Sequence, residues 1–180
     1  MNAARVELMA SAAGKIGGVT WHHLFLLATD ASGAQSYLRA GPQSLPATQL
    51  TGRQTEHGDA LEDYEPPATG PYGVITFTTG SYEPGGVDFD PVAANAVLAT
   101  GDAAAVLWNK LKAASHAVHE EAIPYDPIGK GANWAAMEVL RRCGVEPRLP
   151  PKRWAPGAGA WAADAEQEAV TRRLGQPVVI

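Results

Sequence analysis

The chain has 180 residues, 46% of them hydrophobic, and a formal net charge of -5. That length and apolar content suit one globular domain over residues 1–180 and exclude general disorder. The 14 Lys and Arg are scattered among 19 Asp and Glu, which excludes a basic nucleic-acid surface or a basic membrane stripe.

No apolar run reaches the length of a membrane span, so no transmembrane segment is expected. Arg5, Glu7 and Lys15 interrupt the first residues, which therefore do not read as a signal peptide. The expected location is the cytoplasm, or the exterior by a route without a cleaved leader. Cys143 is the single cysteine, so neither an internal disulfide nor a cysteine-based zinc site is available.

In chain order, residues 5–10 suggest a short strand and residues 11–18 a turn-rich connection. Residues 19–29, VTWHHLFLLAT, form the strongest strand candidate, rich in β-branched, aromatic and aliphatic residues. Asp30-Ala-Ser-Gly33 is a good hairpin loop, and residues 35–40 return antiparallel until Gly41-Pro42 stops them. Residues 42–72 are polar and loop-like, broken by prolines, and contain His57, Glu62 and Asp63. Residues 74–79, VITFTT, are another strand, and residues 81–91 a loop. From Pro91 the pattern turns helical. Asp102 is placed to cap a helix over 103–121 with the apolar stripe Val106, Leu107, Leu111, Ala114 and Val118.

Residues 123–131 follow, a loop set by Pro124 and Pro127 and loosened by Gly129 and Gly131. A helix then starts at Asn133, read as its cap, with Trp134, Met137, Val139 and Leu140 on its apolar face. Gly144 suits the C′ position, and Arg141 and Arg142 lie where the helix dipole favours cations. Residues 149–159 are a proline-rich loop, 160–174 a last helix and 178–180 a tail or edge strand. Strands first with helices behind them imply an α+β fold, an antiparallel sheet with two or three packed helices.

Few residues offer chemistry. His22 and His23 are neighbours in a strand, so they face opposite sides and only one of them can serve a site. The plain alternative is one half-buried and one solvated histidine. His116 and His119 have a spacing that metals use, but no HExxH pattern accompanies them, and a solvated helix face is the better reading. Cys143 sits at the wrong end of its helix for a low-pKa thiol and reads as buried packing. Trp21, Trp134, Trp154 and Trp161 read as core or loop anchors. There is no P-loop, no GxGxxG opening a helix and no GxSxG elbow, so no cofactor and no metal are expected.

The order of a histidine strand, hairpin, return strand, long middle and loop-to-helix resembles the circularly permuted papain-like proteins. These include the permuted NlpC-type hydrolases and the lecithin retinol acyltransferase-like enzymes. The histidine strand of that group is matched by His23-Leu-Phe-Leu-Leu. Its N-C-x-x-F helix start falls on Gly131-Ala132-Asn133-Trp134-Ala135. Tyr125-Asp126-Pro127-Ile128-Gly129 is similar to a bacterial variant in which Y-D-P-hydrophobic-G precedes an N-S-N-S-F helix start. The parallel extends through Pro42, to Gly80-Ser-Tyr82 with Asp88, and to the segment before Trp154-Ala-Pro-Gly157. The resemblance thus spans most of the chain, without a motif that is specific alone.

The resemblance implies a bacterial hydrolase acting on an amide or ester bond, with a peptide, amide or lipid-like substrate and no nucleic acid. His23 is then the general base and position 132 the nucleophile, with Arg39 where acyltransferase-like enzymes orient the histidine. Tyr125, Asp126, Gly131, Asn133 and Trp134 then line the substrate site, with the amides from Gly129 to Asn133 as oxyanion donors. Two departures stand out. Ala132 has no nucleophilic group, so the chain is expected to be inactive as written. Arg39 lacks an acceptor for a histidine N–H. The alternative is a non-catalytic binding or toxin-accessory module that keeps the cleft, and a plain soluble domain with structural histidines is a third reading. Oligomeric state is not legible.

Overall fold

The computed structural model describes residues 3–16, 19–42, 72–84, 89–126, 129–146, 149–150, 153, 155 and 157–158. The expected polar segment with His57, Glu62 and Asp63, the helix over 160–174 and the tail lie outside these. So do Asp88, Pro127, Ile128, Trp154 and Trp161.

Among the described residues five strands and two helices appear: β1 (Arg5–Ile16), β2 (Val19–Thr29), β3 (Gln35–Pro42), β4 (Ile75–Ser81), β5 (Ala94–Thr100), α1 (Asp102–Glu120) and α2 (Ala132–Arg142). The strands form one antiparallel sheet in the order β4-β3-β2-β1-β5. The fold is therefore α+β.

The β2–β3 hairpin forms as its turn residues direct. Asp30 Oδ1 accepts from the amides of Ser32 at 2.8 Å and Ala34 at 3.0 Å. Gly33 takes a φ of 93°, a conformation that glycine adopts without strain.

Two elements correct the sequence reading. Residues 11–16, expected as a turn, continue β1, because β2 pairs with them as far as Ile16 opposite Val19. A register slip between Ala12 and Gly14 absorbs the irregularity. Residues 94–100, expected as helical, form β5 on the free edge of β1. Strand pairing there overrides the helix propensity of an alanine-rich run. Gly101, at a φ of 61°, then turns the chain into α1 and occupies the N-cap. Asp102, expected as the cap, sits inside the first turn, where its charge still suits the dipole.

The sheet has two different faces. Val6, Leu8 and Ala10 of β1, Leu24 and Leu26 of β2, Leu38 and Ala40 of β3, and Ile75 of β4 pack against the helices. α1 contributes Ala104, Leu107, Leu111, Ser115 and Val118, whereas Val106, expected in the stripe, is exposed. The opposite face carries Met9, Phe25 and Leu27 beneath Tyr37, Tyr82 and Ala93. Tyr82 stacks between Phe25 and Phe89, with ring centroids 5.7 Å and 5.2 Å away. Its hydroxyl donates to the Asp90 carbonyl at 2.9 Å and accepts from the Asp90 amide at 3.1 Å.

α2 ends as its sequence directs. The Val145 amide donates to the Leu140 carbonyl and the Gly144 amide to the Arg141 carbonyl, both at 3.0 Å, with Gly144 at a φ of 72°. This is a complete Schellman motif, with Val145 and Leu140 both packed in the core. Arg142 ties the end of α2 to Glu121, just past α1, through contacts of 2.6 Å and 2.9 Å.

Candidate functional site

The candidate site is the start of α2 and the segments packed around it. Its approach is a short extended segment. The Ile75 amide donates to the Ile123 carbonyl and the Tyr125 amide to the Gly73 carbonyl, each at 2.9 Å, around a bridge between Val74 and Pro124. Pro124 favours that extended backbone. The segment therefore pairs with residues 73–75 where β4 begins and delivers Tyr125 to the start of α2. The chain then closes on itself, with the Asp126 amide donating to the Lys130 carbonyl at 3.2 Å and the Gly131 amide to the Gly129 carbonyl at 2.9 Å. Glycine at 129 leaves room for the Asp126 carboxylate, since a Cβ there would lie 2.5 Å from Asp126 Oδ2.

Tyr125 is half-buried against the helix-side core. Burial pushes its phenol above the ordinary value. The hydrogen bond from the Ala132 amide and the positive charge of Arg39 pull it back, while Asp126 adds to the rise. The phenol is thus a neutral hydroxyl whose oxygen accepts from the first amide of α2.

Gly131, not Asn133, is the N-cap of α2, and it makes no side-chain cap bond. Asn133 lies two residues further in, with only 5% of its surface exposed. Its side chain leaves the helix and bonds β2 instead. Asn133 Oδ1 accepts from the Leu24 amide at 2.8 Å, and Asn133 Nδ2 donates to the His22 carbonyl at 3.0 Å. The two partners fix which end of the carboxamide is oxygen, because an amide only donates and a carbonyl only accepts.

The strand alternation then decides between the two histidines. Leu24 and Leu26 belong to the helix-side core, and Phe25 and Leu27 to the opposite cluster. By the same alternation His22 lies on the helix side and His23 on the far side. The expectation that His23 faces the start of α2 is therefore one residue out of register. His22 is 7% exposed. Arg39, expected to orient the histidine, shares its face with Tyr37, on the side away from the helices, although its charge reaches Tyr125. Its Nε is buried.

The remaining expected residues divide. Gly131 and Ala132 are buried, Ala132 to 6% exposure, and line the core rather than an open surface. Asp126 is exposed. Trp134 is half-buried, with Lys130 Nζ 5.6 Å from its ring centre. Two of the amides expected to hold an oxyanion, those of Gly131 and Ala132, already have partners within the chain.

His116 and His119 are both exposed on α1. His119 Nδ1 lies 3.2 Å from the Ile75 carbonyl, so it carries the proton in this contact. Among the described residues no cluster of three His, Cys, Asp or Glu is placed to hold a metal, and no helix is long and apolar enough to cross a membrane.

Sequence reasoning missed three features: the tie of Asn133 to β2, the hydroxyl of Tyr125 at the Ala132 amide, and the face of His22. The first is a contact between distant segments, and the second a closure within one loop; neither has a periodic signal. The third needs to know which face of the sheet the helices cover. No family model matches the chain, and no curated protein or solved structure matches it.

Proposed function

We propose that the chain is a permuted papain-like domain of the hydrolase group that acts on amide or ester bonds, with its nucleophile position held by Ala132. The observation that carries this reading is the docking of the start of α2 on the histidine strand through Asn133. It brings position 132, the helix N-terminus and the strand bearing His22 together, which is what a thiol or hydroxyl nucleophile with a histidine base needs. His22 takes the role first expected of His23. In an active form, a thiolate at position 132 attacks the substrate carbonyl carbon. The C–N or C–O bond breaks, and the leaving group takes the proton held by His22. Water then cleaves the acyl-enzyme bond. In that form Tyr125, a neutral hydroxyl beside the first amide of α2, is the proposed donor to the developing oxyanion.

As written the chain has no nucleophile there. The burial of Ala132 favours a second reading, a binding module that keeps the fold and fills the position with a methyl group. The test is acylation. The Ala132→Cys protein, treated with p-nitrophenyl acetate, should gain one acetyl group at residue 132, seen by peptide mass spectrometry. The parent protein, which has only Cys143, is the control. Acylation no faster than in the parent would overturn the hydrolase reading and leave the binding module.

A further inference from the structure

The contact of Asn133 with β2 lies at an unusual place in the sheet. β2 and β3 pair from Thr29 opposite Gln35 to Leu26 opposite Leu38. Beyond Leu38, β3 stays with β4 as far as Pro42 opposite Ile75, but leaves β2. Continued pairing would set Ala40 opposite Leu24. In a strand, residues two apart send their N–H and C=O groups to the same edge. The His22 carbonyl and the Leu24 amide therefore point to the edge that β3 has vacated. A carboxamide has the donor and acceptor of a peptide group. Asn133 supplies both to these two groups, at 3.0 Å and 2.8 Å.

We propose that Asn133 is a positioning residue: its side chain stands in for the missing β3 peptide and locks the first turn of α2 to the backbone of His22. Residue 132 is held in register with that histidine through one side chain, its immediate neighbour on the helix. The clamp explains why an asparagine in a first helical turn abandons capping. It also gives partners to two of the β2 backbone groups exposed where the sheet opens between β2 and β3. The role in reactivity rests on the hydrolase reading above, whereas the clamp itself does not.

Amide hydrogen exchange tests the clamp in the otherwise unchanged chain. In Asn133→Ala, exchange at Leu24 should rise about tenfold relative to exchange at Leu26, which β3 protects. Equal changes at both sites, or none at Leu24, would overturn the proposal. Should that variant fail to fold, Asn133→Asp replaces it. A protonated aspartic acid both donates and accepts, but an ionised one only accepts. The stability of this variant relative to the parent should then fall as pH rises through the titration of that carboxyl, because the bond donated to the His22 carbonyl is lost, and a pH-independent difference would overturn the proposal. The functional half is read in the Ala132→Cys protein, where Asn133→Ala should raise the thiol pKa at residue 132 as His22→Ala does. A thiol pKa moved by His22→Ala but not by Asn133→Ala would overturn the positioning role alone. If neither moves it, the hydrolase reading fails, and the clamp stands or falls on the Leu24 exchange.

Discussion

Cys143, half-buried at the end of α2, meets two opposed influences. Burial pushes its thiol up, and the charge of Lys110 pulls it partly back. The net direction is upward, and the helix C-terminus also disfavours a thiolate. The residue is less enclosed than its sequence context suggests, and burial still raises its thiol. With a thiol reagent at neutral pH, the native protein should react more slowly than free cysteine, and a rate near that of free cysteine would contradict this. Other single residues were less legible. Asn133 has the local signature of a helix cap, and only its long-range contact with β2 makes it something else. The doublet His22-His23 announces that one imidazole faces each side of the sheet, but the chain itself does not mark which side the helices cover.

Among the elements, those with local signals were legible. β2, the turn at Asp30 to Gly33, β3 and the C-terminus of α2 all follow from residues that make those structures on their own. Gly144 is the clearest case. Its φ is 72° and a Cβ there would meet nothing within 4 Å, so the effect of a side chain is purely conformational. Gly144→Ala should lower stability by about 1 kcal/mol in urea unfolding. Gly41→Ala, with open space and no positive φ, is the control and should change little. The second half of β1 and all of β5 were not legible. Their Ala, Ser, Gly and Asn residues are weak strand formers, and they are strands because neighbours pair with them.

The α2 terminus also carries a pH signature. Hydrogen bonding from Arg141, helped by Arg142, holds the Glu138 carboxyl below its ordinary 4.5. The folded protein thus binds this proton less readily than the unfolded chain. The stabilisation is present above that ordinary value and is lost as pH falls through the folded one. The first partner of Glu138, Arg141, is exposed and solvent-screened, so the effect should stay below about 1 kcal/mol. Glu138→Gln should flatten this part of the acid limb in a stability-against-pH series, and an unchanged limb would show that Glu138 does not contribute.

At the scale of the whole molecule, the sheet has two different faces. One carries the helices and the start of α2, and the other lies beneath Tyr37, Tyr82 and Ala93. The α+β class was legible because strands and helices segregate along the chain. The splitting of β2 from β3, which makes room for the start of α2, was not, because it depends on pairing partners far apart in sequence. On the proposed reading, a cysteine at position 132 forms a nucleophile–base pair with His22 across that junction. The most direct measurement is the pH dependence of alkylation at residue 132 in Ala132→Cys, with and without His22→Ala. Such a pair gives a thiol pKa well below the free value of about 8.5, rising when His22 is removed and unmoved by His23→Ala. A pKa near the free value in all three proteins would contradict it.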